Sequence, residues 1–194
     1  LVFSDSREVV SGGNFHGETI AIPLDTMKIA FSELANISDR RLYLLMDSRK
    51  TGLEPFLAHE PGINSGFMML QVTTASLVSE NKVLSHPSSV DSIPTSSGQE
   101  DHVSMGTISG RHLNEILTNV ETVLGIELLA GINAVKMREP LSSSPPIETL
   151  KSVIMKNIEQ ITADRPFYRD IDAIRRMIAD NSVVEIIEES INLK

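Results

Sequence analysis

Residues 123–135 read Val-Leu-Gly-Ile-Glu-Leu-Leu-Ala-Gly-Ile-Asn-Ala-Val, and they are the most informative segment for the architecture of the chain. It is apolar on nearly every face of a helix, and it lies within a longer helical pattern from about Asp101 to Arg138. A helix that is apolar all round is buried on all sides, because none of its faces favours water. We therefore expect this helix in the middle of a bundle of other helices.

The flanking sequence supplies those helices. A pattern from about Glu18 to Met46 has one apolar stripe, formed by Leu24, Met27, Phe31 and Leu34. A second helix is predicted to begin at a cap, Asn64 or Ser65, and to run to about Ser85. The remaining predicted segments are helices at about Ile147–Ala163 and Ile171–Ile178, an apolar segment at Val183–Ile187, and a β-hairpin over residues 1–13. The predicted fold class is all-α, a long-helix bundle with a short N-terminal β-hairpin.

Composition narrows the possible functions. The formal net charge of the 194 residues is -9, and so acidic a surface repels phosphate backbones, so we expect no nucleic-acid partner. No apolar run approaches the roughly 18 residues that a membrane span requires, and no secretory pattern opens the chain. Cysteine is absent, which excludes disulfides and thiolate metal sites. We expect a cytoplasmic protein. The opening at Leu1, without methionine, suggests a proteolytic fragment or one piece of a longer polypeptide, with an artificial boundary as the alternative.

Two polar clusters are candidates for chemistry. In Gln99-Glu100-Asp101-His102, the acids could simply cap the predicted helix, or one carboxylate could point into a cleft. In Gly12-Gly13-Asn14-Phe15-His16-Gly17-Glu18, the glycines allow a tight turn and the close approach of another segment. The histidines of the chain lack the spacing of metal ligands, so we predict no metal site.

Several blocks of sequence resemble the histidine ammonia-lyases, which are aromatic amino acid lyases that depend on a methylidene-imidazolone. The resemblance covers about residues 1–138, and the tail is less distinctive. The blocks are Ser11-Gly12-Gly13-Asn14-Phe15-His16-Gly17-Glu18, Asn64-Ser65-Gly66-Phe67-Met68, Ser79-Glu80-Asn81-Lys82, His86-Pro87, Ser89-Val90-Asp91-Ser92-Ile93-Pro94-Thr95-Ser96 and Gln99-Glu100-Asp101-His102-Val103-Ser104-Met105.

The resemblance implies a helical fold of the aspartase–fumarase superfamily, a homotetramer, and the conversion of L-histidine to trans-urocanate and ammonia. It also implies a 4-methylidene-imidazol-5-one cofactor made from an Ala-Ser-Gly triad. This chain has no such triad, and neither Tyr43 nor Tyr168 stands in the tyrosine motif that supplies the base in this family. We therefore expect the cofactor to belong to an N-terminal portion of the same enzyme, none of it within this chain. The chain alone should be inactive.

The resemblance assigns roles to particular residues. Glu100 matches the active-site glutamate of the family, and Phe15 matches its active-site phenylalanine. Gln99, Asn14 and His16 are weaker substrate-binding candidates. In terms of organisation, the resemblance divides one incomplete domain into the hairpin and active-site turn (1–17), the long-helix bundle core (18–138) and a C-terminal helical segment (139–194).

Two alternatives stay open at this stage. One is a phenylalanine or tyrosine ammonia-lyase, or an aminomutase, built on the same cofactor. The phenylalanine enzymes typically have Gln where Glu100 and His16 stand, and an unpaired buried carboxylate beside a phenyl ring is costly, which favours histidine. The other alternative is a non-catalytic helical oligomerisation module.

Overall fold

The computed structural model describes residues 1–191, and it consists of helices preceded by one small hairpin. The strands are β1 (Val2–Phe3) and β2 (Glu8–Val9), and the α-helices are α1 (Glu18–Leu45), α2 (Ser48–Thr51), α3 (Met68–Leu84), α4 (Gly106–Met137), α5 (Pro145–Asn157), α6 (Tyr168–Ala179) and α7 (Ser182–Ile191). Short 3-10 turns lie at Pro55–Leu57 and Ser96–Gly98. The all-α prediction and the predicted hairpin are confirmed: β1 and β2 pair antiparallel, with Val2 opposite Val9. No helix of residues 1–191 is long and apolar enough to cross a bilayer.

Helices α1, α3 and α4 form the bundle. α1 and α4 run in the same direction, since Ala21 lies beside Gly106 at one end and Ser38 donates a hydrogen bond to Glu127 further along. α3 runs against both of them. The hydroxyl of Thr74 donates to Asp39 of α1 at 2.5 Å, and the Asn119 amide of α4 donates to the Asn81 side chain at 2.9 Å.

The central helix is buried as its sequence predicts. No residue from 123 to 135 is exposed, because α1, α3 and α6 all pack around α4. α6 packs closely beside Gly125, where an added Cβ would make an ordinary van der Waals contact of 3.6 Å with the backbone nitrogen of Arg175. The larger core cluster includes Leu42, Met46, Leu57, Phe67, Leu70, Ile126, Leu129, Ile132, Leu150, Ile154 and Ile174.

The apolar stripe predicted on α1 is wrong. Met27 and Leu34 are exposed, and Leu24 and Phe31 are only partly buried. Apart from Leu42, the buried face of α1 is made of small and polar residues: Ala21, Asp25, Lys28, Ser32, Ala35, Ser38 and Asp39. Small side chains let α1 and α4 lie close together, and the buried polar ones are satisfied by partners on neighbouring segments. Leu42 and Phe31 pack in the core clusters of this chain, whereas Met27 and Leu34 face away from it.

Some helix boundaries also differ from prediction. α3 begins at Met68 without a side-chain cap. Asn64 and Ser65 are engaged elsewhere, because the Asn64 side chain accepts from the backbone N–H of Asp164 and the Ser65 N–H donates to the Asp164 carboxylate at 2.7 Å. α5 ends at Asn157, because the next residue, Ile158, has an extended backbone. This is six residues before the predicted end at Ala163. The predicted division into three segments is not tested by these contacts and stays a prediction.

Candidate active site

The two polar clusters that stand far apart in the sequence meet where α1 and α4 begin. The Ser104 hydroxyl, just ahead of α4, donates a hydrogen bond to the carbonyl of His16, just ahead of α1. Behind this contact the helices are nearly touching, since a Cβ at Gly106 would lie only 3.2 Å from the Cβ of Ala21. The parallel packing of the two helices thus brings residues 12–18 and 95–106 to one end of the bundle.

Glu100 does not lie in a helix, which corrects the predicted start of the longest helix at Asp101. α4 begins five residues after the predicted start, at Gly106, after Met105 in the left-handed region (φ 52°). Extended and irregular backbone therefore separates the acids from the helix. Met105, at the N-cap position, supplies no side-chain hydrogen bond, and the Gly106 N–H donates instead to the Ser104 hydroxyl at 3.3 Å. The capping interpretation of Glu100 is wrong, because a carboxylate this far ahead cannot reach the first free N–H groups of the helix.

A tight turn holds Glu100 instead. The Thr95 N–H donates to the Glu100 carbonyl at 3.0 Å, closing a loop through the 3-10 turn at Ser96–Gly98. Ser96 and Ser97 both adopt positive φ angles (50° and 59°), which few residues other than glycine and asparagine take up readily. The Thr95 hydroxyl lies 3.4 Å from the carboxylate of Glu100.

This turn sets the ionisation of Glu100. A hydrogen bond to the side chain of Ser96 is the main influence and lowers the pKa of Glu100 below its ordinary 4.5. Partial desolvation raises the pKa, but the Thr95 hydroxyl and the nearby charge of His16 lower it further. Glu100 is therefore an anion at neutral pH, beside the histidine of the other cluster.

The remaining predicted residues lie on the same open face. Phe15 is 83% exposed, and its ring meets that of His16 edge to face, with centroids 4.9 Å apart. Asn14 is exposed, and its carbonyl accepts from the Gly17 N–H at 3.1 Å, which shapes the turn into α1. Gln99 is exposed beside Glu100. Glu100 thus lies within reach of the His16 charge, and the ring of Phe15 contacts that of His16.

A cavity of about 450 Å³ adjoins these residues. Its lining comes from both segments and includes His16, Gly17, Ile20, Ser104 and Thr107. Glu100 and Phe15 lie outside the lining. The cavity therefore lies between the two helix starts, with the charged and aromatic candidates around it.

Sequence reasoning missed one pair at this site. Nε2 of His102 lies 3.5 Å from Oε2 of Glu18, which links the segment after Glu100 to the first turn of α1. The two residues are 84 positions apart, so no local pattern could have paired them. Among residues 1–191, no group of three or more His, Asp or Glu side chains is arranged to hold a metal ion.

Comparison with known proteins identifies the class to which this fold and site belong. The family model for aromatic amino acid lyases matches residues 1–156. The chain belongs to the aromatic amino acid lyase family.

Within that family, similar proteins are histidine ammonia-lyases. The chain is 48% identical over 189 residues to histidine ammonia-lyase of Caldanaerobacter subterraneus subsp. tengcongensis, a match that covers 97% of this chain and 37% of the relative. The crystal structure of histidine ammonia-lyase from Trypanosoma cruzi superposes with a TM-score of 0.91 at 42% identity, over 97% of this chain and 37% of that one. Tyrosine aminomutase from Streptomyces globisporus gives a TM-score of 0.92 at 28% identity, over 99% of this chain and 37% of that one. The chain thus spans about 37% of the length of these relatives.

Proposed function

We propose that this chain is the C-terminal part of a histidine ammonia-lyase, which eliminates ammonia from L-histidine to give trans-urocanate. The observation that carries the proposal is that segments 85 residues apart in the sequence lie at one end of the bundle. There the charge of His16 acts on Glu100, and the ring of Phe15 contacts that of His16. The identity of 48% to a histidine ammonia-lyase over nearly the whole chain supports the same substrate.

Glu100 binds and orients the imidazole ring of the substrate in this proposal. An imidazole N–H donates to a carboxylate in a charge-assisted hydrogen bond, which is stronger than a bond between neutral groups. The lowered pKa of Glu100 suits this role, because it keeps the acceptor charged. It also makes Glu100 a weak base near pH 7, since a general base works best with a pKa close to the operating pH. We therefore assign proton removal to a tyrosine of the N-terminal portion.

The residues present also fit the cofactor. A 4-methylidene-imidazol-5-one, formed from Ala-Ser-Gly in the N-terminal portion, would supply the electrophile that activates the amino group as a leaving group. Phe15 is exposed here, and a Cβ built at Gly12 or Gly13 would meet nothing within 4 Å, so another segment has room to approach. Phe15 would then form an apolar wall of the pocket. Asn14, His16 and Gln99 would shape the surroundings of the substrate.

This arrangement has two consequences for the assembly. The chain alone is inactive, because it carries neither the cofactor triad nor the base. The complete enzyme is a homotetramer, and its contacts would cover the exposed apolar residues of α1, namely Ile20, Ile22, Met27, Ile29, Leu34 and Ile37. A cytoplasmic location is part of the proposal.

An aminomutase or a phenylalanine or tyrosine ammonia-lyase is the second candidate. The close superposition with a tyrosine aminomutase favours it, because the two share the fold over 99% of this chain at 28% identity. The anionic Glu100 argues against an uncharged aromatic substrate, since a carboxylate buried beside a phenyl ring lacks a donor. A non-catalytic oligomerisation module would have no use for the turn that keeps Glu100 ionised.

Reconstitution tests the proposal. This chain is co-expressed with the N-terminal portion, and the complex is offered L-histidine, L-phenylalanine and L-tyrosine in parallel. We expect ultraviolet absorbance of urocanate to grow with histidine only, and neither part to be active alone. Activity on phenylalanine but not on histidine would contradict the proposed substrate. A β-amino acid product would indicate an aminomutase.

A further inference from the structure

A buried ion pair lies on α1, two turns beyond the candidate site. Nζ of Lys28 lies 2.7 Å from Oδ1 of Asp25, and the side chains are 0% and 5% exposed. A lysine this buried is unusual, because taking its ammonium group out of water costs several kcal/mol unless partners replace the solvent.

The pair binds the backbone of a distant segment. Nζ of Lys28 donates to the His86 carbonyl at 2.9 Å, and Oδ2 of Asp25 accepts from the Ser89 N–H at 2.8 Å. One turn further along α1, the hydroxyls of Ser32 and Ser85 are 2.6 Å apart. Residues 85–89 are thus held against α1 by polar contacts with residues 53 to 64 positions away in the sequence.

Residues 86–105 form the loop that carries Glu100, and the ion pair holds its first residues. From 91 to 99 every residue is exposed, so packing within this chain does not fix the middle of the loop. Its far end is held by the hydrogen bond from Ser104 to the His16 carbonyl, and the Val103 N–H donates to the Ser92 hydroxyl at 3.2 Å. The position of the loop is therefore fixed by the contacts that its two ends make.

Stability does not explain the pair. Replacing a buried ion pair with apolar side chains of similar size is often neutral or stabilising, so charge is a poor way to fill this space. Burial acts to raise the pKa of Asp25, but the hydrogen bonds from Lys28 and the Ser89 amide outweigh it, and the pKa lies well below its ordinary value. The Asp25 carboxylate is thus charged at all physiological pH values.

We propose that Asp25 and Lys28 are positioning residues for Glu100: they hold the start of loop 86–105 so that the carboxylate meets the substrate. The inference rests on the proposed function. A displacement of about 1 Å in a catalytic constellation can cost up to 100-fold in rate, so a loosened loop should be visible in kcat.

The test replaces both charges in the assembled enzyme with Asp25→Leu and Lys28→Met. We expect kcat for L-histidine to fall roughly 10- to 100-fold with the melting temperature little changed. If the pair acts through Glu100, the same replacement in a Glu100→Gln background should cost less than about twofold, because coupled sites are not additive. Hydrogen exchange at the amides of residues 89–103 should become faster.

The matched control is the double substitution Arg41→Met and Glu127→Leu. It removes a different ion pair, which joins α1 to α4: Nε of Arg41 lies 2.5 Å from Oε1 of Glu127, about 20 Å further along α1 than Lys28. We expect unchanged kcat and unchanged exchange in residues 89–103. Should the first variant not fold, Asp25→Asn with Lys28→Gln keeps polar groups at both positions and should give a smaller loss of kcat in the same direction.

Two results would overturn the inference. One is an equal loss of kcat in the wild-type and Glu100→Gln backgrounds, which would mean that the pair acts elsewhere. The other is unaltered hydrogen exchange in residues 89–103 when the pair is removed. The exchange measurement needs no turnover, so the two proposals can fail separately. Absence of activity on histidine would contradict the proposed function. Hydrogen exchange would then still show whether the ion pair positions the loop.

Discussion

Glu100→Gln removes one charge and keeps the shape of the side chain, so it isolates the contact proposed between this residue and the imidazole. The free energy at stake is that of one hydrogen bond to a charged group, about 1.5–3 kcal/mol. At 1.36 kcal/mol per factor of ten, kcat/KM for L-histidine should fall about 10- to 150-fold. The fold should survive, because the Glu100 side chain lies among exposed residues rather than in the core.

The assay follows urocanate absorbance with the reconstituted enzyme, and light scattering reports whether the tetramer persists. Asp101→Asn is the matched control, since it neutralises the adjacent exposed carboxylate and should leave kcat/KM within about twofold, the usual scale of surface changes. A Glu100→Gln enzyme as fast as wild type would refute the reasoning. So would an equal loss in both variants, which would indicate a general effect of negative charge.

Three further predictions concern the turn that holds Glu100 and the packing around Gly66 and Phe67. Ser96→Ala removes the main hydrogen bond that lowers the pKa of Glu100, so this pKa should rise. As the pH is lowered, the variant should then lose activity at a higher pH than the wild type does. The acid limb of a plot of kcat/KM against pH measures the shift, and an unmoved limb would contradict the prediction. Gly66→Ala should cost about 2–4 kcal/mol in urea denaturation, because φ is +57° and the new Cβ would meet the Phe56 carbonyl at 2.6 Å; a normal midpoint would refute the clash. Phe67→Ala empties a fully buried site against the ring of Phe167 and should cost about 3–5 kcal/mol by the same measurement, whereas a loss below 1 kcal/mol would mean that the ring is not in the core.

Local periodicity predicted the helices well and their ends less well. The boundaries of α1 were predicted to within one residue. No residue from 123 to 135 is exposed, but five of these thirteen residues are only partly buried, so the predicted burial on every face is confirmed in part. The start of α4 was placed five residues too early because acids in a first helical turn are typical of helix N-termini. Met105 in the left-handed region ends that pattern, and nothing in the surrounding sequence predicts its conformation.

The contacts that build the site are non-local, and so the sequence could not supply them. Ser65 resembles a cap, but α3 begins three residues after it, and its N–H donates to Asp164, 99 positions away. The stripe on α1 was misassigned for a related reason: periodicity reveals an apolar face but not what covers it. Met27 belongs to that exposed face, while Lys28, which composition would place on the surface, is fully buried.

The resemblance to a family named the site residues, and physical reasoning from the sequence did not find their partners. Glu100 and Phe15 were identified by motif alone. The hydrogen bonds of Ser96 and Thr95, which set the charge of Glu100, depend on a turn with two positive φ angles in succession. Residues in such angles are uncommon, and they often mark functional sites.

The distance between the Glu100 carboxylate and the substrate imidazole tests the central claim most directly. It is measured in a crystal structure of the assembled enzyme with an unreactive histidine analogue bound. We predict an oxygen-to-nitrogen distance of about 2.7–3.2 Å, as in a charge-assisted hydrogen bond. A carboxylate turned toward bulk water, with the imidazole held by other groups, would contradict the account.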